Sequence, residues 1–239
     1  MIPVSKIRCL GSVSQKGQLP MKTENRRNPR PLSALPELLS IPSGICSVIG
    51  SGGKSSLLLS LSLELAKRGR VILGTSTHIL PFPHCPLVLF SSSGISVRPS
   101  AKARILKDSE KEAEVTEISS CLEAAFSLSP LPILCLGSMA ESGKLSPPPI
   151  PWKDLLPHAD YILIEADGSK RLPLKAHAPW EPVIPEGNAR TIAVIGGSGL
   201  GHPIKEAVHR PELFLSILRE KLSENPSGSE ALTERSPVT

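Results

Sequence analysis

The chain of 239 residues has room for one α/β domain with a sizeable core and is short for two. With 40% hydrophobic but only 3% aromatic residues, the core must rest on Leu, Ile, Val and Ala, and 25 prolines, about twice ordinary usage, imply many fixed corners. The formal charge of +5 belongs to a tail: residues 1–30 set seven basic side chains against Glu24, which leaves residues 31–239 at −1. Residues 1–34 therefore read as a basic, solvated and disordered extension. The scarcity of aromatics for base stacking speaks against nucleic acid as a partner.

In chain order, Leu35–Leu39 reads as a short helix ending near Pro42, and Ile45–Ile49 as a buried strand. The loop Gly50-Ser51-Gly52-Gly53-Lys54-Ser55 follows at once, and a Leu-rich helix runs from about Lys54 to Lys67. That helix is apolar on nearly all sides, as expected of one buried against a sheet, and Gly69 stands where a C-terminal cap belongs. Strands are expected at Arg70–Leu73, Pro86–Phe90, Pro132–Leu136, Tyr161–Ile164 and Thr191–Ile195. Residues 101–126 lack Pro and Gly, and Val115, Ile118, Leu122 and Phe126 recur at helical spacing. Pro147–Pro151 must be extended, Pro211–Leu222 reads as a last helix, and 223–239 as a frayed tail.

Short apolar strands alternating with helices predict a mostly parallel sheet with helices on both faces, a P-loop-NTPase-like α/β domain over residues 35–222. Ligands bind such sheets beyond the carboxyl ends of their strands. Gly50–Ser55, Thr75–His78, Gly137-Ser138 and Glu165–Lys170 each follow a predicted strand, so four segments are expected on one rim.

Glycines let a backbone turn sharply and offer consecutive N–H groups to phosphate oxygens ahead of a helix N-terminus. A following Lys supplies a cation, and the next Ser or Thr can hold magnesium. Gly50, Ser51, Gly52, Gly53, Lys54, Ser55 and Ser56 are accordingly the candidate phosphate contacts. The usual pattern has a glycine five residues before Gly53, where this chain has Val48, so the loop is a shortened form of the G-[ST]-x-G-K-[ST] kind seen in Mur-type ligases. The strand Tyr161–Ile164 ends in Glu165 and Asp167, an expected place for carboxylates serving a metal or its water shell. Being two apart, they would share a direction if the strand continued. The candidate metal set is Ser55, Glu165 and Asp167, and the candidate catalytic set Lys54, Glu165, Asp167 and His78. Thr75, Thr77 and His78 would meet phosphate, metal or an acceptor, and Lys170, Arg171 and Lys175 would neutralise phosphate or bind an anionic substrate. His209 and Arg210 are weaker candidates.

Five scattered cysteines without a C-x-x-C pair suit reduced thiols. With no apolar stretch of signal-peptide or membrane-spanning length, the expected location is the cytoplasm, with no membrane partner.

With these segments assembled, the chain resembles the YqeC family of selenium-dependent molybdenum hydroxylase accessory proteins. The likeness lies in Val48–Ser55 (VIGSGGKS), Thr75–Ile79 (TSTHI), Ile164–Lys170 (IEADGSK), Leu172–Lys175 (LPLK), Glu181–Pro185 (EPVIP) and His209–Glu212 (HRPE), across roughly residues 35–215. It implies a domain binding ATP or GTP with Mg2+, acting in maturation of a selenium-containing hydroxylase or its cofactor. Phosphate and magnesium would fall to Lys54 and Ser55, and metal or water to Glu165 and Asp167. A nucleotide-gated chaperone or scaffold for the hydroxylase is the alternative, and hydrolysis or kinase- or ligase-like transfer are both open reactions. The sequence departs from the family at Gly74 and Ser76, where threonines are expected, and at His177 and Trp180, where Pro and a smaller or polar residue are expected. The resemblance also implies a further strand ending in an Asn-Lys/Gln-x-Asp-like motif, with a part in base choice or sheet completion, which these 239 residues do not contain.

Overall fold

A computed structural model describes residues 35–92, 94–99, 117–223 and 232–239. The extension at 1–34 and the first part of the 101–126 helix lie outside the described residues. The chain runs α1 (Leu35–Leu38), β1 (Gly44–Gly50), α2 (Lys54–Leu65), β2 (Val71–Thr75), β3 (Leu87–Ser91), β4 (Gly94–Arg98) and α3 (Ile118–Ser127). It continues through β5 (Ile133–Met139), β6 (Leu145–Ser146), β7 (Tyr161–Glu165), β8 (Leu174–Lys175), β9 (Asn188–Val194), α4 (Ile204–Ala207), β10 (Val208–His209) and α5 (Pro211–Ser223).

Among the described residues, the main sheet has eight strands in the order β4-β3-β5-β2-β7-β1-β9, with β6 added to β5. Its neighbours are parallel except β4 on β3 and β6 on β5. The inner strands are near-continuous apolar runs because both faces are covered, and alternate side chains divide between two cores. Ile45, Ile72, Ile162, Ile164 and Leu134 join Leu122 and Phe126 of α3 on one face. Cys46, Val48, Val71, Leu73 and Leu163 join Leu58, Leu61 and Leu65 of α2 on the other. The architecture is thus the expected P-loop-like α/β fold, with a helix on each face. Leu35, Leu39 and Ile41 of the α1 segment pack into the α2 core, which explains why α2 is apolar beyond its sheet-facing side. Cys46, Cys85, Cys121 and Cys135 are all free and buried.

Several expectations need correction. Gly137 and Ser138 do not begin a loop; β5 continues to Met139, pairing with β3 and then with β6. Gly69 does not cap α2 in a left-handed conformation, since the helix ends at Leu65. A Cβ at Gly69 would lie 2.2 Å from the Asp160 carboxylate, which accepts the Arg70 N–H at 2.7 Å, so the glycine makes room for that contact. The antiparallel edge β4 was not foreseen, because four half-buried residues and an exposed Arg98 after a Ser-rich loop carry little strand signal. Residues 232–239 are not frayed: Val238 is buried, donates its N–H to His202 O at 2.9 Å and accepts from Gly201 N at 2.8 Å. It completes a third apolar cluster with Leu174, Ile204, Ala207, Val208 and Leu215 around the small parallel pair β8–β10.

Gly74, where a threonine was expected, sits against the Trp152 ring: a Cβ there would lie 2.1 Å from the ring edge. Trp152 is 6% exposed and has no room to retreat. Overpacking of this kind typically costs about 1–3 kcal/mol. Gly74→Ala should therefore lower stability to urea by about that amount, and combining it with Trp152→Leu should cost less than the sum of the two single changes. Strict additivity would mean that the two side chains do not share this space.

Candidate functional site

The glycine loop begins where β1 ends. Gly50 has φ of 99°, and a Cβ on it would meet Val194 O at 2.2 Å, so only glycine fits there. Val48, at the usual place of the first loop glycine, is instead wholly buried in β1, and this is why the loop is short. The first three loop N–H groups are used in holding the turn: Gly50 to Asp167 Oδ2 at 2.8 Å, Ser51 to Val194 O at 2.9 Å and Gly52 to Leu172 O at 3.0 Å. The Ser51 hydroxyl donates to Pro173 O. Gly53 then turns left-handed at φ 104° and α2 starts. The N–H groups of Gly53, Lys54, Ser55 and Ser56 have no partner among the described residues, as expected of a free helix N-terminus.

The carboxylates arrive from the adjacent strand. Register pairs Glu165 with Val48 on one side and Thr75 on the other, so the end of β7 lies between the glycine loop and the threonine segment. Glu165 Oε2 accepts the Ser55 hydroxyl at 3.0 Å, and its Oε1 is 3.7 Å from Lys54 Nζ. Burial pushes the Glu165 carboxyl above the usual range; the Lys54 charge and the Ser55 hydroxyl oppose this and the Asp167 charge adds to it. Asp167 is fully buried, with Lys54 Nζ 3.2 Å from Oδ1 and with Gly50 N–H, His177 Nε2 (2.6 Å) and Lys175 Nζ (3.2 Å) at Oδ2. Burial alone would raise its pKa, but the His177 hydrogen bond, the Gly50 N–H and the two ammonium groups together hold it below the ordinary value. Lys54 itself is 4% exposed and donates to Gly50 O at 2.8 Å. Glu165 and Asp167 thus converge on one ammonium although β7 ends at Glu165.

The remaining candidates divide. Thr77 and His78 line the cavity described below, but Thr75 is buried, donates to Glu165 O at 2.8 Å and accepts the Thr77 N–H at 2.9 Å, so its hydroxyl shapes the turn. Ser76, the second departure from the family pattern, donates to Val183 O and ties the EPVIP segment to this end of the sheet. Lys170 and Arg171 line the cavity, whereas the Lys175 side chain is 1% exposed and bridges Asp167, Gly168 O and Glu181. It is therefore a buried tie and offers no free charge to a substrate. Arg210 likewise ends on Glu181 and Ala176 O. Sequence reasoning did not assign His177 or Glu181 a function. The signal was present only as LPLK, EPVIP and HRPE, whose charged residues meet here through β8 and β10, where Lys175 pairs with His209.

These segments surround a cavity of about 1020 Å³, lined by the glycine loop, Glu165, Thr77–Pro83, Lys144, Gly168–Arg171, Glu181 and His209. Among the described residues, no group of three or more His, Cys, Asp or Glu side chains is arranged to hold a metal ion, and no helix is long and apolar enough to cross a membrane.

Fold and site together define a P-loop-like α/β protein with a glycine loop, lysine and acidic strand end converging beneath one cavity. The family model described as YqeC protein matches residues 46–212, and the chain belongs to the YqeC family. It is 34% identical over 179 residues to "Uncharacterized protein YqeC" of Escherichia coli (strain K12). That match takes in 72% of this chain and 60% of the relative, so the chain spans about three fifths of the length of the curated relative it matches. No solved structure matches the chain.

Removing the Asp167 charge leaves Lys54 and Lys175 buried with less compensation, a change that typically costs about 3 kcal/mol or more. Asp167→Asn should show that loss by urea unfolding at pH 7. Because the folded-state pKa is depressed, the wild-type advantage is full above the unfolded aspartate value, roughly pH 4, and shrinks as pH falls through the folded value. A cost below about 1 kcal/mol at pH 7 would remove Asp167 from this role.

Proposed function

We propose that the chain binds ATP or GTP together with Mg2+ at the Gly50–Ser56 loop, and that it acts in maturation of a selenium-dependent molybdenum hydroxylase or its cofactor. The observation that carries the nucleotide part is the run of four unpartnered N–H groups, Gly53 to Ser56, beside Lys54 at the mouth of a large cavity. Consecutive N–H groups at a helix N-terminus suit phosphate oxygens, and the helix dipole favours the same charge. Lys54 then neutralises the terminal phosphates. Ser55 and Glu165, already joined through a hydrogen bond, are the groups that would hold magnesium, which needs only one or two protein ligands when phosphates supply the rest. When bound, the ion would supply neutralisation of phosphate charge. Asp167, with three partners at Oδ2 and the Lys54 ammonium 3.2 Å from an Oδ1 that makes no hydrogen bond, fits the part of loop anchor better than that of metal ligand. Thr77 and His78 line the same cavity and would meet an acceptor there, which supports magnesium-dependent hydrolysis or phosphoryl transfer as the chemistry. The link to the hydroxylase rests on the family resemblance.

One observation favours a second reading, a nucleotide-gated scaffold for the hydroxylase. Trp180 is 72% exposed and directly precedes Glu181 on the cavity wall, so an aromatic contact surface adjoins the site. Turnover stimulated by a small acceptor supports the enzyme; stimulation only by the hydroxylase supports the scaffold.

Calorimetric titration with ATP and GTP in the presence and absence of magnesium tests the nucleotide site. Lys54→Ala should weaken binding at least about thirty-fold, about 2 kcal/mol, with the fold checked by circular dichroism. Ser55→Ala, at an exposed position, should keep the fold and lose mainly the magnesium-dependent part of the affinity. Absence of binding of either nucleotide to well-folded wild-type protein would overturn the reading.

A further inference from the structure

The acids and the cations lining the cavity are not in the same state. Glu165 is engaged by Ser55 and Lys54, and Glu181 by Lys175 and Arg210. The side chains of Lys144, Lys170 and Arg171 line the same cavity and have no hydrogen-bond or ion-pair partner among the described residues. Lys54 is paired with Glu165 and Asp167, but away from the glycine loop the cavity keeps its negative charge internally neutralised and these three cations free, which is the electrostatic pattern of an anion site.

Local structure points the same way. Lys170 and Arg171 both have positive φ, 49° and 63°, inside a turn closed by the Leu172 N–H to Ser169 O bond at 2.9 Å. Two consecutive positive φ values belong to a turn that favours Asn-Gly. Two long basic residues there carry a conformational cost of the kind that concentrates at functional sites. Lys144 enters from another wall, placed by the bridge between Leu145 and Ile79. Next to it lies an apolar stretch, Leu80-Pro81-Phe82-Pro83, with Leu80 56% exposed. His209, on the same wall system, is held below its ordinary pKa first by burial and then by the charges of Arg210, Lys175 and Lys170, consistent with a positive field there. The volume of about 1020 Å³ is at the upper limit for a single small ligand.

We propose that the part of the cavity beyond the glycine loop is a second ligand site, for a small molecule with a phosphate or carboxylate head and an apolar body. The Lys170-Arg171 turn and Lys144 hold the head, and Leu80–Pro83 covers the body. The assignment of this molecule as a companion to a nucleotide rests on the reading given above; the anion site itself does not.

The test uses the full chain with phenyl phosphate and benzoate as probes, followed by ligand-observed NMR, with and without a saturating non-hydrolysable ATP or GTP analogue and magnesium. Phenyl phosphate, benzoate or both should bind one-to-one in the presence of the analogue, and the stronger probe identifies the head group. A Lys144→Gln/Arg171→Gln variant, with its fold unchanged by circular dichroism, should bind the probe at least tenfold more weakly. Displacement of the probe by the analogue, equal probe binding by the variant, or no binding of either probe would overturn the proposal. If the analogue does not bind but the probe binds with the same dependence on Lys144 and Arg171, the anion site stands and the nucleotide reading alone fails.

Discussion

A carboxylate with no exposure to water is costly unless it is compensated on every side, and Asp167 is compensated by groups from separate parts of the chain. Its Oδ2 receives the Gly50 N–H at the start of the glycine loop, His177 and Lys175, while Lys54 approaches Oδ1. Each partner stands at a position that has a reason to be elsewhere. Gly50 ends a buried strand, Lys54 begins a helix, and Lys175 lies on a two-residue strand of a separate sheet. The single anion therefore ties the end of β1, the start of α2 and the β8–β10 layer into one rim. Lys175 passes the connection on to Glu181, and Glu181 to Arg210, so the carboxyl-terminal layer is joined to the glycine loop by a chain of alternating charges.

Glu165, two residues earlier, shows what the same chemistry does with less compensation. It ends β7, and burial raises its pKa where its neighbours lower that of Asp167. Its remaining contacts are to Ser55 and Lys54, both facing the cavity. A carboxylate held this lightly can change partners when charge enters, and one held by four groups cannot do so cheaply. The pair divides into an anchor and an adaptable group, although spacing alone presents them as equivalents.

What could be read from the amino-acid order follows from this distinction. The parallel sheet, its glycine loop and the acids after Ile164 were legible because each is local: a short apolar run, a glycine cluster, a charged residue directly behind them. Edge strand β4, the two-residue strands and the ordered stretch 232–239 were not, because their stability comes from contacts distant in sequence, such as Val238 with Gly201 and His202. The site followed the same rule. Lys54, Ser55 and Glu165 were readable from the loop and strand end. His177 stood out only as a residue unlike its relatives, and its bond to Asp167 spans ten positions through a loop that periodicity cannot predict. Gly74 likewise had no local meaning until Trp152 was placed against it.

The position of Lys54 bears on how such a loop can serve an anion. Its ammonium is already out of water and bonded to Gly50 O, so most of its dehydration is met in folding rather than at binding. An incoming phosphate, on the proposed reading, would meet four N–H groups that need little rearrangement, the condition under which electrostatic contacts are strongest. The same burial sets a limit. With Asp167 and Glu165 beside it, Lys54 is largely neutralised in the free protein, and the ligand must offer more than two carboxylates to draw the ammonium outward. A phosphate chain carrying several negative charges can do that, and a lone carboxylate has little advantage over the two already present. The free cations of the outer cavity have no such competition. On the two proposals the regions would differ in the anion they select, the inner one favouring high charge density and the outer one a single head group on a larger body.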